Sequence, residues 1–231
     1  MVAKRRVRAD QGPATDPDDK FIATTMEVTA WARNNTQKLV IGATSLAIIL
    51  VLVVYYVGFR SSMEVRAANE LDQIQQTIGL GSPDAAKGRM AQYLERYGNT
   101  PSAGEARMVL GQLHLETGTP QDAVEVLAPM ARDLSNPLNL QAAFLLAAAY
   151  EDQGRFQDAE DLYMRLANRA DLEFQVRDAL RGAARMRTRL GNYAGALSLM
   201  EEIRDGMESG DPERAEVDMR IAELAELIKA S

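Results

Sequence analysis

The sequence predicts an all-α protein, with one N-terminal membrane-spanning helix followed by a helical-repeat solenoid. Three observations carry this. Residues 39–59 form an uncharged run, LVIGATSLAIILVLVVYYVGF, between Lys38 and Arg60. After Arg60 there is no sustained period-2 alternation, while Ala and Leu abound and Gly or Pro punctuates the chain every fifteen to twenty residues, as in short helices joined by tight turns. Third, a spacing of small residues recurs three times in that region.

The apolar run has 21 residues, 13 of them Leu, Ile, Val or Phe. At 1.5 Å per residue it makes a helix of about 31 Å, enough to cross a bilayer core. Those residues favour insertion by about 4–8 kcal/mol before polar residues are counted. A cleaved signal peptide would be shorter, closer to the N-terminus and followed by a small-residue site. Seven basic residues precede the run (Lys4, Arg5, Arg6, Arg8, Lys20, Arg33, Lys38), and only Arg60 and Arg66 lie in the twenty residues after it. The positive-inside rule puts residues 1–38 in the cytoplasm and residues 60–231 outside. Tyr55 and Tyr56 fall near the outer interface, and Ala43 and Ala47 form a small-xxx-small pair that permits a close helix contact in the membrane; lipid-facing residues are the other reading of that pair. The tail of residues 1–19 is polar and contains Gly12, Pro13 and Pro17. A stretch over about 20–36 reads either as an interfacial helix, with Trp31 at headgroup level, or as a loose segment.

Charge divides unevenly. Residues 1–38 carry seven basic and five acidic residues, and residues 60–231 carry 19 and 28. The acidic bulk argues against nucleic acid as a partner. With no cysteine, disulfides, thiolate nucleophiles and Cys-ligated metals are ruled out, which fits a bacterial periplasm. The sequence contains no HExxH, Walker loop, GxSxG or EF-hand loop, and its acidic residues form no convincing acid/base couple. The single histidine, His114, falls at a packing position of the repeat. These features point to no enzyme, no cofactor, no metal and no small-molecule substrate.

Aligned, the three segments are Leu110-Gly111, His114, Gly118, Ala123, Leu127, Met130; then Leu146-Ala147, Tyr150, Gly154, Ala159, Tyr163, Leu166; then Ala183-Ala184, Arg187, Gly191, Ala196, Met200, Ile203. The steps are 36 and 37 residues. Each segment reads as helix, Gly-containing turn, helix, over 103–131, 138–168 and 174–205. A degenerate unit is expected over 63–97, with Ala86, Met90, Tyr93 and Leu94 on one face of its second helix. A capping helix is expected over 211–229, with Val217, Ile221, Leu224 and Ile228 inward and Glu213, Glu216, Glu223 and Glu226 on its outer face.

These segments resemble the tetratricopeptide repeat, whose period is 34, although the Trp of that repeat is missing here. The resemblance implies a groove lined by the first helix of each repeat. Met108, Gln112, Leu115 and Glu116 would come from the first, Phe144, Ala148, Glu151 and Asp152 from the second, and Arg181, Arg185, Thr188 and Arg189 from the third. Arg181, Arg185 and Arg189 recur at i, i+4, i+8 and share a helix face. They suit an acidic segment or a C-terminal carboxylate; an ordinary solvated face is the competing reading. The Lys/Asn clamp of chaperone-binding repeat proteins is not present.

A short tail, one N-terminal anchor and an extracytoplasmic repeat domain, with Tyr97-Gly98-Asn99-Thr100-Pro101-Ser102-Ala103 like a YP-x-TP-x-A linker, resemble the ancillary subunit family of the SecYEG translocon. That resemblance implies a non-enzymatic adaptor in the bacterial inner membrane. Its partners would be the lipid bilayer, membrane-complex subunits and extracytoplasmic proteins. A permanent accessory subunit of a respiratory or photosynthetic complex, or a homo-oligomeric scaffold, remains the alternative.

Overall fold

The computed structural model describes residues 26, 29, 31–78 and 81–230. All regular structure among them is helical. The chain divides into two units, residues 1–59 and 60–231. The tail expected over 1–19 and most of the 20–36 stretch lie outside the described residues; 31–34 are helical and Trp31 is exposed.

Helix α1 (Thr36–Ile78) contains the apolar run. It is the one described helix long and apolar enough to cross a membrane, and none of its apolar window is buried within the protein. Leu39 to Phe59 expose their large side chains throughout. The one hydroxyl of Thr44 donates back to the Val40 carbonyl at 2.7 Å, so it brings no unpaired polar group to the run. Ala43 and Ala47 are both exposed.

In the second unit the character of α1 changes. Ala67, Leu71 and Ile74, at i, i+4, i+7, are at most 4% exposed. They form a core with Met90, Tyr93 and Tyr97 of α2 (Pro83–Tyr97) and with Ala106 and Leu110 of α3 (Ala103–Glu116). The Ser82 hydroxyl caps α2 by accepting from the Ala85 N–H at 3.3 Å, and Pro83 takes the first position, where no donor is needed. Counting from Ile74, the buried Ala86, Met90 and Tyr93 fall at +12, +16 and +19. This is the spacing of the later segments, with Ile74 where they carry Gly or Ala. The linker 97–103 is tied to α1 by the Ser102 hydroxyl, which donates to Glu64 at 2.5 Å, and to α3 by Arg107, which donates to the Gly98 carbonyl at 2.8 Å.

Three helix pairs follow. They are α3 with α4 (Pro120–Leu127), α5 (Pro137–Asp152) with α6 (Phe156–Ala167), and α7 (Glu173–Arg189) with α8 (Tyr193–Asp205). A 3-10 turn, Met130–Arg132, follows α4, and α9 (Arg214–Ala230) closes the array. Gly118, Gly154 and Gly191 sit at φ of 69°, 70° and 77°, a left-handed conformation that glycine adopts without strain. At each, the next residue's N–H returns to a carbonyl five residues back: Thr119 to His114, Arg155 to Tyr150, Asn192 to Arg187, at 2.8–2.9 Å. This is the Schellman ending, and it satisfies carbonyls the helix leaves orphaned.

The small residues permit close approach. A Cβ on Gly111 would lie 2.5 Å from Leu127, which is fully buried. Ala123, Ala147, Ala159 and Ala196 are completely covered. One core runs continuously from Ala123 to Leu224.

The closing helix differs from expectation in three respects. It begins at Arg214, because Asp211 accepts the Glu213 N–H at 2.9 Å and holds Asp211–Glu213 in a turn before it. Ile228 is outward and Leu227 half-buried in its place, since the inward positions advance from Leu224 by three rather than four. Glu213 is not on an outer face; it reaches Arg181 of α7.

Candidate partner-binding groove

The first helices α3, α5 and α7 carry the residues expected to line the groove. On α3, Gln112 and Glu116 are exposed and bonded to each other at 2.9 Å, while Met108 and Leu115 are half-buried against the core. The Thr188 hydroxyl on α7 donates to the Ala184 carbonyl at 2.9 Å, so it is spent locally. Asp152 and Arg189 are exposed and Ala148 is half-buried.

The structure joins α5 and α7 through side chains. Arg185 donates to both Glu151 oxygens, Nη2 to Oε1 at 2.6 Å and Nε to Oε2 at 3.0 Å. Tyr163 of α6 donates its hydroxyl to Glu151 Oε1 at 2.6 Å. The Arg185 guanidinium lies 6.0 Å from the Tyr163 ring centre, and Phe144 packs its ring at 6.3 Å from the same ring. Two donors therefore converge on one half-buried carboxylate. Burial, then the bond to Glu151, raises the Tyr163 pKa above the ordinary tyrosine value. The Glu151 carboxylate raises that of Arg185 against the opposing effect of burial. Arg181 binds Glu213 at 2.5 Å and lies 3.5 Å from Asp178. So Arg181 and Arg185 are each held by a carboxylate, and Arg189 makes no ion pair among the described residues.

The arginine row borders an open cleft of about 520 Å3 between α7 and α9. Its floor is apolar, from the buried Ala184, Met200 and Val217, and the exposed Met219 stands at its edge. Its rim alternates in sign, with Arg181, Arg185 and Arg220 facing Glu216 and Glu223. Arg220 and Glu223 also pair with each other. Met219 is 68% exposed on α9, where a capping helix needs no apolar side chain. The sequence expectation placed Glu216 and Glu223 on the outer face; both line this cleft instead. Tyr163, read only as an aligned repeat position, Glu213, expected on an outer face, and Met219 were not among the expected groove residues. For Glu213 the signal was a spacing near one repeat, because Arg181 meets it at a separation of 32 residues, as Arg185 meets Glu151 at 34.

No group of three or more His, Asp or Glu with metal-binding geometry occurs among the described residues.

Residues 71–133 and 130–173 match the family model of the tetratricopeptide repeat. The matched stretch spans residues 71–173, somewhat under half of the chain. The first match begins at Leu71, within the unit whose marker is Ile74 rather than a small residue. No curated protein matches the sequence. Among solved structures, the nearly identical tetratricopeptide-like repeats assigned to a kinesin light chain of Podosopora anserina align with a TM-score of 0.58 at 19% identity, over 71% of this chain and 88% of that one. A tetratricopeptide repeat protein from Parabacteroides merdae aligns at 0.58 and 14% identity, over 69% of this chain and 60% of that one. MamA aligns at 0.51 and 19% identity, over 71% and 88%. At such identities the likeness concerns the fold. The second unit is a tetratricopeptide-like helical solenoid, an architecture typically used as a protein-interaction scaffold.

Proposed function

We propose that this chain is a membrane-anchored, non-enzymatic scaffold of the bacterial inner membrane. Its repeat array faces the periplasm and docks extracytoplasmic proteins beside a membrane complex, as a translocon-associated adaptor does. The observation that carries the reading is the open cleft between α7 and α9, with its apolar floor and rim of both charges. Such a floor suits one apolar anchor side chain of a partner peptide, and such a rim orients it. The exposed apolar run of α1 supports the anchor, and the excess of basic residues before it supports a cytoplasmic N-terminus. Docking through the Ala43 and Ala47 face and through the groove residues Gln112, Glu116, Phe144, Glu151, Arg181, Arg185 and Arg189 belongs to the same proposal.

The test is gentle solubilisation of native membranes, capture of the full chain and identification of what co-purifies, with wild type beside Met219→Asp. Translocon components and periplasmic chaperones at substoichiometric level, lost with Met219→Asp, are the expected result. One dominant complex at fixed stoichiometry would replace the adaptor reading with a permanent accessory subunit. Recovery of only further copies of this chain would replace it with a homo-oligomeric scaffold.

A further inference from the structure

A second surface is built by the other helices of the array. Residues 60–231 carry 19 basic and 28 acidic residues, so the unit is acidic as a whole. A recess of about 300 Å3 runs against that balance. It gathers Arg132 from the 3-10 turn after α4, Arg165 from the last turn of α6 and Arg169 just beyond it, with Asp133, Ser135 and Asn168. Three guanidiniums face one carboxylate.

That carboxylate is already engaged. Asp133 accepts the Ser135 N–H at 3.0 Å. The Ser135 backbone and side chain hold its pKa below the ordinary carboxylate value, and the Arg169 charge adds to them. Arg165 donates one Nη2 bond to the Ala131 carbonyl at 2.9 Å, which fixes its stem and leaves other donors of the fork available. Neither Arg132 nor Arg169 makes a hydrogen bond or ion pair among the described residues. Two further carboxylates, Asp158 and Asp161, line the adjoining recess with Arg132 and Arg165. Asp158 is bound to Arg155 at 2.7 Å, and Asp161 accepts from Gln157 at 3.1 Å.

We propose that this recess binds an extended acidic segment of a partner protein, with carboxylates at alternate positions. Arg165 lies in the last turn of α6, and Arg169 follows in the turn past its end, where the Arg169 N–H donates to the Leu166 carbonyl at 3.0 Å. Alternate side chains of an extended strand repeat at about 6.6–6.8 Å and point to the same side. Successive carboxylates of such a strand can meet these two guanidiniums in forked contacts, and Arg132 supplies a third from the 3-10 turn. Arg132 and Arg165 also border the adjoining recess, so the basic surface is longer than one phosphate. The surface belongs to α6 and the 3-10 turn, so it is independent of the cleft between α7 and α9.

The test uses the full chain in an uncharged detergent and a short labelled peptide alternating Glu and Ser, followed by fluorescence anisotropy. Arg132→Gln with Arg169→Gln is expected to weaken binding about tenfold, as loss of charge-assisted bonds does. Lys229→Gln, near the end of α9 and outside both this recess and the α7–α9 cleft, is expected to leave it unchanged. Both residues of the double variant are exposed, and an unchanged circular dichroism melt confirms its fold. Absence of peptide binding by wild type overturns the proposal, as does equal binding by the double variant. Equal weakening by Lys229→Gln overturns it too, by showing general charge attraction. Stronger, Arg132- and Arg169-dependent binding to anionic phospholipid vesicles or inorganic phosphate overturns it in favour of a phosphate ligand.

Discussion

Gly182→Ala is a substitution for which helix propensity and packing predict opposite signs. Gly182 lies inside α7, where alanine is intrinsically better by about 1 kcal/mol. An ideal Cβ there would stand 2.7 Å from Tyr163 Cδ1 and Cε1 and 2.8 Å from Cδ2. Carbon atoms pack at about 3.5 Å or more, so the ring must withdraw by close to 1 Å. It has little freedom to do so. Tyr163 is 5% exposed, its hydroxyl is bound to Glu151, and Arg185 clasps the same carboxylate. Overpacking of this kind costs about 1–3 kcal/mol. With the ring held at both ends we take the upper part of that range and expect a net loss of about 1–2 kcal/mol. For a unit of this size that lowers Tm by about 2–8 °C. The assay is thermal unfolding of the full chain in neutral detergent, followed at 222 nm. Tyr163→Leu in the same background should recover part of the loss, because the two sites touch and their effects couple. A rise in Tm for Gly182→Ala, or strict additivity with Tyr163→Leu, refutes the close-contact argument.

Three further outcomes follow from the same geometry. Gly154→Ala should cost about 1 kcal/mol through its φ of 70°, whereas Gly154→Asn should cost less, read as denaturant midpoints. His114 has its pKa lowered from 6.5, first by burial and then by Lys87, against the pull of Asp122. Its neutral form therefore favours the folded state; that stability is full above the unfolded pKa of 6.5 and is lost as pH falls through the lower folded value. His114→Gln should flatten the acid side of a Tm-against-pH curve, and an unchanged slope would remove His114 from the account. Tyr163 has its pKa raised, so its contribution is full below the unfolded value near 10 and is lost as pH rises through the folded one. Absorbance at 295 nm should show a late-ionising tyrosine fraction that shrinks in Tyr163→Phe; a fraction of unchanged size counts against the assignment.

Much of the repeat architecture was readable because it rests on backbone sterics. Gly118, Gly154 and Gly191 are needed where the chain turns left-handed, and Ala123, Ala159 and Ala196 where helices nearly touch; such demands leave residue types at fixed spacing. The first unit was harder to read, because Ile74 stands where the others carry Gly or Ala and hides the register. The state of the groove was not readable in the same way. The i, i+4, i+8 row of Arg181, Arg185 and Arg189 fixes a face, but the carboxylates that neutralise two of them arrive from neighbouring units. Pairing across units depends on how far each helix slides along the next, which a one-dimensional pattern does not record. Ile228 and Leu227 exchanged roles for a related reason, since near a helix end packing geometry decides which of two adjacent apolar residues faces in.

The side-chain links between units all span about one repeat. Ser102 reaches Glu64, Lys87 reaches Thr117, Gln153 reaches the Pro120 carbonyl, Arg165 reaches the Ala131 carbonyl, Arg185 reaches Glu151 and Arg181 reaches Glu213. Among the described residues these links join each unit to the one before and the one after. News of an event at one end can travel along the array only by being handed from neighbour to neighbour, and it weakens at every handover. Two guests seated two units apart would for that reason bind almost as strangers, and a chain built this way can hold several proteins at once without making any of them wait for another.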